Sequence, residues 1–494
     1  MALVQCKEYA HVHQDTEEAN CAAGLIYSQC GPILQQTCQN PGYSNATCVA
    51  GCFCPRGLVK QDGKCIQLDQ CPCMYDGEYL AAGEETVSAN EGSSYATACK
   101  CQNGQMNCAA KKYSRIRCAA YGDPHYKTFS GYRYDFMGQG TFRMVKSDEI
   151  EIFAHNAGCP YSWSATSCID SVTIKINNTN KTAAIVLGKH SEVKVNDKYM
   201  NDLPMYVLGD YTLISKPSSS KTSVIFKNGW RVYWNGKDAL QVDITSLYSG
   251  DLNGLCVSPK SQYTRHKRST ETHMKDWLMA TAKESCNGEG CNQIEKALNL
   301  PHPCNKNATS KKQAEANCAK LKTAFTTCHE KIISENYYND CMYDVCAFDG
   351  DIQLGLCPSF EAYANECSQK GSVNNWRQSV EECVIECPPG QVYEECSTEC
   401  YRSCSDLQLV QRNCSRDCID GCRCPKGEAL DNSSHCIPIE ICPGNYSIPI
   451  FNSVSMNNTE IKYVYRKYHK ISGVMNPIKT YRIFHQCIQW NRNS

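Results

Sequence analysis

Gly122-Asp123-Pro124-His125 is the most reactive sequence in this chain of 494 residues. An Asp–Pro bond is intrinsically weak, because the aspartate carboxyl can attack its own carbonyl carbon and the proline nitrogen is a basic, strained leaving group. A neighbouring histidine such as His125 could assist the proton transfer. Two interpretations stay open: self-cleavage between Asp123 and Pro124, and an uncleaved turn that leads into a strand.

A second candidate for chain cleavage is the basic segment Arg265-His266-Lys267-Arg268, which Ser269 follows. An Arg-x-Lys-Arg sequence suits the acidic pockets of proprotein convertases, which would cut after Arg268. The alternative is a solvated basic loop, which is how most runs of like charge behave. No hydrophobic pattern surrounds residues 258–272, so the segment is predicted to be exposed under either alternative.

The chain has 38 cysteines, an even number, and eight Asn-x-Ser/Thr sequons. Zinc is the structural alternative to disulfides, but it usually takes Cys-x2-Cys pairs, and no two cysteines here lie three positions apart. Cysteine density and sequons together indicate disulfides formed in the secretory pathway. The predicted glycosylation sites are Asn45, Asn177, Asn180, Asn307, Asn413, Asn432, Asn445 and Asn457.

Charge and hydrophobicity exclude several classes of protein. The formal net charge of −1 gives no global electrostatic case for binding nucleic acid or an anionic membrane surface. No run of 18 apolar residues exists, so no membrane span is predicted. Residues 1–20 lack the apolar core of a signal peptide. We therefore expect the chain to be a fragment of a longer secreted protein, with residues 1–20 belonging to a preceding region.

Two stretches share one pattern of cysteine spacing. Both open with a gap of nine residues, contain a matching segment (ATCVAGCFCP and RDCIDGCRCP), and close with a six-residue step that ends in Cys-Pro. The first copy lacks counterparts only of Cys400 and Cys414. Because the loss of one disulfide removes two cysteines together, we predict that Cys400 pairs with Cys414. Modules this small, with few core apolar residues, depend on covalent links.

The middle of the chain has the pattern of a sheet. Residues 129–245 alternate apolar and polar side chains, as in TFRMVKS, EIEIFAH and SVTIKIN, and turn signals separate these segments. Many short strands at regular spacing predict an antiparallel sandwich or barrel. Helices are predicted over residues 311–331 and 359–368, the second with Ser359 as its N-cap.

Several of these segments resemble known domains. The two cysteine repeats are similar to trypsin-inhibitor-like domains. SRIRCAAYGDPHYKTFSGYRYDFMGQGTFRMV resembles the opening of a von Willebrand factor type D domain, and the stretch that begins NDCMYDVCAFDG resembles the eight-cysteine domain that follows it. Gel-forming mucins, the IgG Fc-binding mucus protein, zonadhesin and von Willebrand factor carry such assemblies. In some relatives the Gly-Asp-Pro-His segment self-cleaves, which implies Asp123 and Pro124 as the scissile pair.

The resemblance implies a multidomain, disulfide-rich fold. An antiparallel β-sandwich or barrel of type D is followed by a small, mainly α eight-cysteine domain, and two small loop-rich modules flank them. The expected order is trypsin-inhibitor-like module 21–72, type C-like cysteine-rich module 73–117, type D domain 118–285, eight-cysteine domain 286–386, second trypsin-inhibitor-like module 387–443, and a tail of unknown structure over 444–494.

The chain departs from the family pattern in two places. Most type D domains carry Cys-Gly-Leu-Cys-Gly near their end, but Asn253 replaces the first of these cysteines here. No dithiol for disulfide exchange remains, and Cys256 is expected to pair with Cys118. The segment that corresponds to the calcium-binding loop of relatives is SPKSQYTRHKRST, residues 258–270, which has no acidic residue. Ser130 stands where an aspartate is common. We therefore predict that the calcium site is lost and that the chain binds no metal or other cofactor.

The leading functional hypothesis is a secreted structural or adhesive glycoprotein, which mediates protein–protein interaction or the assembly of mucus or matrix. Its partners would be other extracellular proteins or glycoproteins, and disulfide-linked homo-oligomers are left open, with Cys6 and Cys487 as spare thiols. One alternative is a serine protease inhibitor whose reactive loop contains Arg416 and Asp417. Another is a secreted modulator that binds growth factors. No catalytic motif is found, so no enzyme is expected beyond the candidate self-cleavage.

Overall fold

The computed structural model describes most of the chain. Every cysteine in the described part is joined to another in one of 17 disulfides. Contacts divide the chain into two compact units, residues 1–87 with 97–111, and residues 88–96 with 112–494. The described residues are 21–22, 24–42, 48–75, 78–89, 95–159, 166–178, 181–209, 211–248, 250–257, 271–287, 291, 293–348, 351–397, 403–407, 418–431, 433–442, 447–451, 460–471 and 474–486.

The first unit consists of short strands, most of them in small sheets and held by disulfides. Its first module has one small cluster of buried side chains, Cys38, Val59 and Cys71, so covalent links replace a hydrophobic core there. Its disulfides are Cys21–Cys52, Cys30–Cys48, Cys38–Cys71 and Cys54–Cys65, and the next module has Cys73–Cys101 and Cys99–Cys108. The strands are β1 (Ile26–Pro32), β2 (Cys48–Phe53), β3 (Leu58–Gln61), β4 (Lys64–Gln67), β5 (Cys73–Tyr75), β6 (Glu78–Leu80), β7 (Glu85–Ala89), β8 (Tyr95–Gln102) and β9 (Gln105–Lys112).

A β-sandwich of two largely antiparallel sheets forms the centre of the second unit, as predicted. Its strands are β10 (Arg115–Tyr121), β11 (His125–Lys127), β12 (Arg133–Asp135), β13 (Gly140–Lys146), β14 (Ile150–Gly158), β15 (Ser167–Asn178), β16 (Lys181–Leu187), β17 (Val193–Val195), β18 (Lys198–Tyr199), β19 (Met205–Val207), β20 (Thr212–Ser215), β21 (Thr222–Phe226), β22 (Arg231–Trp234) and β23 (Leu240–Thr245). One sheet has the order β12-β11-β10-β23-β22-β21-β20-β19, and the other has the order β18-β17-β16-β15-β14-β13.

The inward-facing side chains of both sheets form one large hydrophobic core. Phe142 and Ile174 come from the second sheet, and Val232 and Trp234 come from the first; all four are fully buried. This burial follows the period-two alternation of the strand sequences. The disulfide Cys118–Cys256 lies in the same core and joins β10 to the segment after β23.

The sandwich core continues beyond residue 285, where the sequence placed the domain boundary. Helix α1 (Glu271–Ser285) leads into strand β24 (Cys286–Asn287), which pairs with β13, and then into helix α2 (Ile294–Leu298). Ile294 is buried in the sandwich core, with Leu298 packed against it. A separate helical core begins at Cys304, so the observed change of core lies between Leu298 and Cys304.

The helical domain contains α3 (Ala308–Cys318), α4 (Lys320–Ala324), α5 (Glu335–Ala347) and α6 (Ile352–Gln369). The predicted helix over 311–331 is thus two shorter helices, and helical structure ends at Phe325. The second predicted helix begins earlier than expected, because Asp351, not Ser359, caps it. Ser359 is buried within α6. Four disulfides hold the domain: Cys304–Cys346, Cys318–Cys341, Cys328–Cys367 and Cys357–Cys383.

The C-terminal module repeats the disulfide pairing of the first one. Its bonds Cys387–Cys422, Cys396–Cys418, Cys404–Cys442 and Cys424–Cys436 occupy positions equivalent to the four bonds of the first module. Its strands are β25 (Val392–Ser397), β26 (Ile419–Arg423), β27 (Glu428–Leu430) and β28 (Cys436–Pro438). In the tail, β29 (Ser447–Phe451), β30 (Glu460–Ile471) and β31 (Val474–Gln486) extend the first sheet beyond β19.

Candidate functional site

The Gly122-Asp123-Pro124-His125 segment is a tight turn between two antiparallel strands. Tyr121, the last residue of β10, pairs with His125, the first residue of β11. Gly122 has φ +66°, a left-handed conformation that L side chains rarely adopt. A Cβ at Gly122 would also lie 2.5 Å from Oδ2 of Asp344, a residue of helix α5. Glycine at this position therefore lets the turn pack directly against the helical domain.

The buried side chain of His125 lies between carboxylates from two domains. Its Nδ1 is 2.7 Å from Oδ1 of Asp135 on β12, and its Nε2 is 2.7 Å from Oδ1 of Asp344 on α5. Oδ1 of Asp340 is 3.7 Å from Nδ1. Burial alone would lower the pKa of His125, but the carboxylates of Asp344, Asp340 and Asp135 outweigh it and raise the pKa well above its usual value. The ring is therefore an imidazolium, with both N–H groups donated to carboxylates.

Asp123, the residue before the candidate scissile bond, is fully buried. Its Oδ1 lies 3.5 Å from Sγ of Cys159, which is bonded to Cys168 and so has no thiol proton to donate. Its Oδ2 has no hydrogen-bond partner among the described residues. Burial raises the pKa of Asp123 well above its usual value, and the negative charge of Asp344 raises it further. Both effects favour the acid form of the Asp123 carboxyl.

Asp344 connects this turn to the helical domain. The Cys318–Cys341 and Cys304–Cys346 disulfides hold α5 on either side of it. One carboxylate oxygen accepts the Nε2 proton of His125, and the other lies beside Gly122 without a hydrogen-bond partner in the described structure. Burial raises the pKa of Asp344 to about 6, even though the His125 cation opposes this effect. At neutral pH it is an ionised carboxylate.

A second pair of residues strengthens the same contact. Arg133 of β12 donates to Oδ2 of Asp340 at 2.5 Å and also to the hydroxyl of Tyr121, which donates to Asp340 at 2.6 Å. The guanidinium carbon of Arg133 lies 4.3 Å from the ring centre of Tyr337. The turn and the two strands beside it are thus bonded to α5 at two points one helical turn apart.

Two groups of side chains here have the composition of metal ligands. In each group, Asp123 with Cys159 and Cys168, or His125 with Asp135 and Asp340, the donor atoms lie within 4.8 Å of one another. The first cannot offer thiolates, because its two cysteines are bonded to each other. In the second, Nδ1 of His125 already donates its proton to Asp135. We assign no metal to either group, and the absence of a metal stays a prediction.

The arrangement supplies the reagents for peptide cleavage within one residue. A carboxyl in its acid form carries both the attacking oxygen and the proton that the nitrogen of Pro124 needs in order to leave. His125 is not placed for the proton transfer that the sequence suggested, since both of its N–H groups point to carboxylates. The chemistry therefore rests on Asp123.

A second buried ionic network lies where the sandwich, the helical domain and the C-terminal module meet. Lys221 binds Asp420 and Oε1 of Glu361, the latter at 3.2 Å, and Arg377 binds Oε2 of Glu361 at 2.9 Å. The hydroxyl of Tyr393 accepts from Nε of Arg377 at 2.9 Å. Burial would raise the pKa of Glu361, but Lys221 and Arg377 lower it to about 2. Two cations and two carboxylates balance one another here.

A cleft of about 770 Å³ opens beside this network. Its walls include Lys189 and Lys237 from the sandwich and Glu386 from the segment that precedes the C-terminal module. Both lysines have acidic neighbours: Lys189 lies 3.4 Å from Asp170, and Lys237 lies 3.7 Å from Asp238. The cleft is therefore polar and of mixed charge.

Family models match four segments of the chain. The von Willebrand factor type D domain model matches residues 118–256, the C8 domain model matches residues 317–384, and the model of the trypsin inhibitor-like cysteine-rich domain matches residues 21–71 and 387–442. The chain thus contains a von Willebrand factor type D domain, a C8 domain and two trypsin inhibitor-like domains. The sandwich is its type D domain, the helical domain is its C8 domain, and the two repeats are trypsin inhibitor-like (TIL) domains.

The relatives are large proteins of which the chain resembles one part. It is 28% identical over 449 residues to SCO-spondin of Gallus gallus, and the alignment covers 88% of this chain and 8% of SCO-spondin. Identity to mucin-6 of Gallus gallus is 30% over 440 residues, covering 86% and 36% respectively. Identity to von Willebrand factor of Bos taurus is 26% over 443 residues, covering 87% and 45%. The chain thus spans less than half the length of each of these relatives.

Several predicted sites lie outside the described residues. These are the convertase candidate Arg265, Lys267, Arg268 and Ser269, the inhibitor loop with Arg416 and Asp417, the predicted pair Cys400 and Cys414, the spare thiols Cys6 and Cys487, and the sequons at Asn45, Asn180, Asn413, Asn432, Asn445 and Asn457. Residues 258–270, where the resemblance implied the lost calcium site, also lie outside the described residues. All of these stay predictions.

Three other predicted sites can be placed. The Cys118–Cys256 disulfide that the resemblance implied is present in the type D domain. Asn177 is exposed near the end of β15, where a glycan has access to solvent. Asn307 caps α3, and its Oδ1 accepts the backbone N–H of Thr309 at 2.9 Å.

Sequence reasoning missed the C8 residues that complete the turn site. Asp344 is 219 positions from its partner His125, so no local pattern connects them. Helix α5 was not predicted, although its buried residues Tyr337, Cys341 and Val345 recur at helical spacing. Asp340 and Asp344 interrupt the apolar pattern of that face, and their own spacing places both acids on it.

Within the part of the chain that the structure describes, no helix is long and apolar enough to cross a membrane.

Proposed function

We propose that this chain is a structural and adhesive segment of an extracellular glycoprotein, in which stable disulfide-bonded domains present surfaces to other extracellular proteins or glycoproteins. The observation that carries the proposal is the pairing of every described cysteine in a disulfide. Disulfides of this density form and persist in oxidising compartments outside the cytosol. The alignments to mucin-6, SCO-spondin and von Willebrand factor over nearly nine-tenths of the chain support the same role.

The junction of three domains supports a role as a stable structural segment. Lys221 of the type D domain, Arg377 of the C8 domain and Asp420 of the second TIL domain belong to one buried network. Glu395 of the TIL domain also accepts the backbone N–H groups of Asn374 and Trp376 in the C8 domain. Contacts of this kind favour a block that resists separation of its domains.

Electrophoresis of the secreted chain tests this proposal. Without reductant, an alkylating agent should label few cysteines, and disulfide-linked multimers, if Cys6 or Cys487 forms them, should collapse to a single chain after reduction. If the cysteines are instead free thiols, as in a reducing cytosol, most of them should be alkylated in the native protein. That result would overturn the proposal.

A second function, self-cleavage between Asp123 and Pro124, is supported by the buried acid form of Asp123. In the proposed step, a carboxyl oxygen of Asp123 attacks its own backbone carbonyl carbon and forms a five-membered ring. The carboxyl proton passes to the nitrogen of Pro124, the C–N bond breaks, and Pro124 leaves as an amine. The cyclic anhydride left on Asp123 is opened by water or by an amine, and the second case forms a crosslink.

The two fragments would stay associated after cleavage. The Cys118–Cys256 disulfide joins a residue before the cut to one after it, and β10 pairs with both β11 and β23. Cleavage must therefore be followed under reducing conditions. Mass spectrometry of the reduced chain should find a peptide that begins at Pro124, and Asp123→Asn should abolish it because the amide lacks the acid proton. An intact wild-type chain would overturn this proposal.

A further inference from the structure

The charged groups around the scissile turn are shared between two domains. The type D domain contributes Tyr121, Asp123, His125, Arg133, Asp135 and Asp238, and the C8 domain contributes Asp340, Tyr343 and Asp344. Of these, only Asp344 contacts both ends of the turn. One of its oxygens binds His125, and the other lies where a side chain on Gly122 would be.

We infer that Asp344 is a positioning residue for cleavage of the Asp123–Pro124 bond, so that the C8 domain controls a reaction whose bond lies in the type D domain. This inference rests on the proposed self-cleavage. Asp344 acts in two ways. It holds the ring of His125 by a hydrogen bond at 2.7 Å, and it places a negative charge beside a turn whose reacting carboxyl is buried.

The first effect keeps His125 from forming an ion pair with the carboxyl of Asp123. With Nε2 bound to Asp344 and Nδ1 bound to Asp135, the imidazolium does not approach Asp123 as an ion-pair partner. An ion pair would keep Asp123 ionised, and an ionised carboxylate has no proton to give to the nitrogen of Pro124. Binding of His125 by Asp344 therefore keeps the reactive form of Asp123 available.

The second effect is electrostatic. The negative charge of Asp344 adds to burial in raising the pKa of Asp123, whereas His125 opposes it. Both carboxyls are fully buried, so water screens their interaction little. Asp344 lies on α5 between two disulfide-bonded cysteines, which fixes its position within the C8 domain.

The test is the pH dependence of cleavage in the full chain carrying Asp344→Asn. The amide keeps an oxygen that accepts the proton of His125 and removes only the charge. The wild-type rate should fall as pH rises through the elevated pKa of Asp123. In Asp344→Asn the cleavage rate should fall at a pH about one unit lower than in the wild type. At a fixed pH above the pKa of Asp123, the variant should therefore cleave about tenfold more slowly.

Asp340→Asn is the matched control, because Asp340 lies one turn away on the same helix and bonds to Arg133 and Tyr121. The Asp340→Asn substitution should leave unchanged the pH at which the cleavage rate falls. Asp344→Glu, which restores the charge, should return the fall to the wild-type pH even if the longer side chain slows the reaction. This second variant separates loss of charge from loss of folding.

The outcomes distinguish the two proposals. A wild-type chain that is never cleaved would overturn the proposed self-cleavage. A wild-type chain that is cleaved, with the same pH dependence in Asp344→Asn, would overturn only the role of Asp344. An equal shift in Asp340→Asn would also overturn it, since the effect would then be general to the acidic cluster.

Discussion

Two buried ionic clusters join the domains of the second unit, and they differ in their charge balance. At the Lys221 network, two cations face two carboxylates, Glu361 and Asp420. At the Gly-Asp-Pro-His turn, three buried aspartates (Asp123, Asp340 and Asp344) and the solvent-exposed Asp135 share two cations, His125 and Arg133. The balanced cluster leaves every carboxylate paired. The unbalanced one leaves buried oxygens of Asp123 and Asp344 without partners in the described structure.

The difference separates a structural role from a chemical one. A balanced network holds domains together because each charge is compensated. At the turn, burial and the negative charge of Asp344 instead raise the pKa of Asp123, which favours its protonated form and makes an acid available at a weak peptide bond. Unpartnered buried polar atoms are rare in folded proteins and often occur where function requires them.

The largest effect is expected from breaking the balanced network. Lys221→Ala leaves Glu361 and Asp420 with one cation for two buried charges, and should lower the free energy of unfolding by about 3 kcal/mol. Denaturant unfolding with the disulfides intact measures this loss. Lys237→Ala, on the exposed rim of the cleft, is the control and should change the free energy by no more than about 0.5 kcal/mol. Equal effects of the two substitutions would show that the ion pairs of Lys221 do not stabilise the fold.

Gly122→Ala should be the next most destabilising change. It forces an alanine into a left-handed backbone conformation and places its Cβ 2.5 Å from Oδ2 of Asp344. The expected loss is about 2 kcal/mol. Gly131→Ala is the matched control, because Gly131 has φ +85° but open space around it, so it should cost only the backbone strain, about 1 kcal/mol. A Gly122 variant no less stable than the Gly131 variant would contradict the close contact between turn and C8 domain.

The pH dependence of stability should identify Glu361. Its pKa is about 2 in the folded chain and ordinary in the unfolded chain, so the unfolded state takes up a proton first as pH falls. The stabilisation is complete above pH ~4.5 and is lost progressively as the pH drops toward ~2. Acid unfolding monitored by circular dichroism should therefore be flatter in Glu361→Gln over this range. An unchanged acid limb in that variant would show that the pairs with Lys221 and Arg377 do not form.

The smallest effect is expected at Asp123. Because its carboxyl is already neutral, Asp123→Asn removes no ion pair and should change the free energy of unfolding by less than about 1 kcal/mol. The comparison with Lys221→Ala in the same denaturation assay is the sharpest contrast between the two clusters. A loss as large as that of Lys221→Ala would mean that Asp123 is a paired, ionised carboxylate.

Much of the fold could be predicted because its signals are local. The strands of the sandwich follow the alternation of their own sequences, and the two TIL domains share one cysteine spacing and one observed pairing. Helix α6 was placed too late in the chain because Gly355 and Pro358 lie inside it, and both residues usually indicate an end. Gly355 is needed there because a Cβ would lie 2.5 Å from the backbone of Val345 on α5.

The candidate site could be predicted only in part. The reactive pair Asp123 and Pro124 is visible in the sequence, since its chemistry depends on two adjacent residues. Its environment is not, since burial and the approach of Asp344 come from packing between domains. The binding of His125 to Asp135 and Asp344 could not be predicted for the same reason, because these partners are known only from the fold.

The central claim, that Asp123 is a buried neutral acid while Glu361 is ionised, can be measured directly by infrared difference spectroscopy. The chain is prepared with Pro124→Ala, which removes the strained leaving group and keeps the peptide bond intact. At neutral pH, adding Asp123→Asn should remove an absorption band of a protonated carboxyl, whereas adding Glu361→Gln should remove a band of an ionised carboxylate. A protonated band that is unaffected by Asp123→Asn would contradict the account.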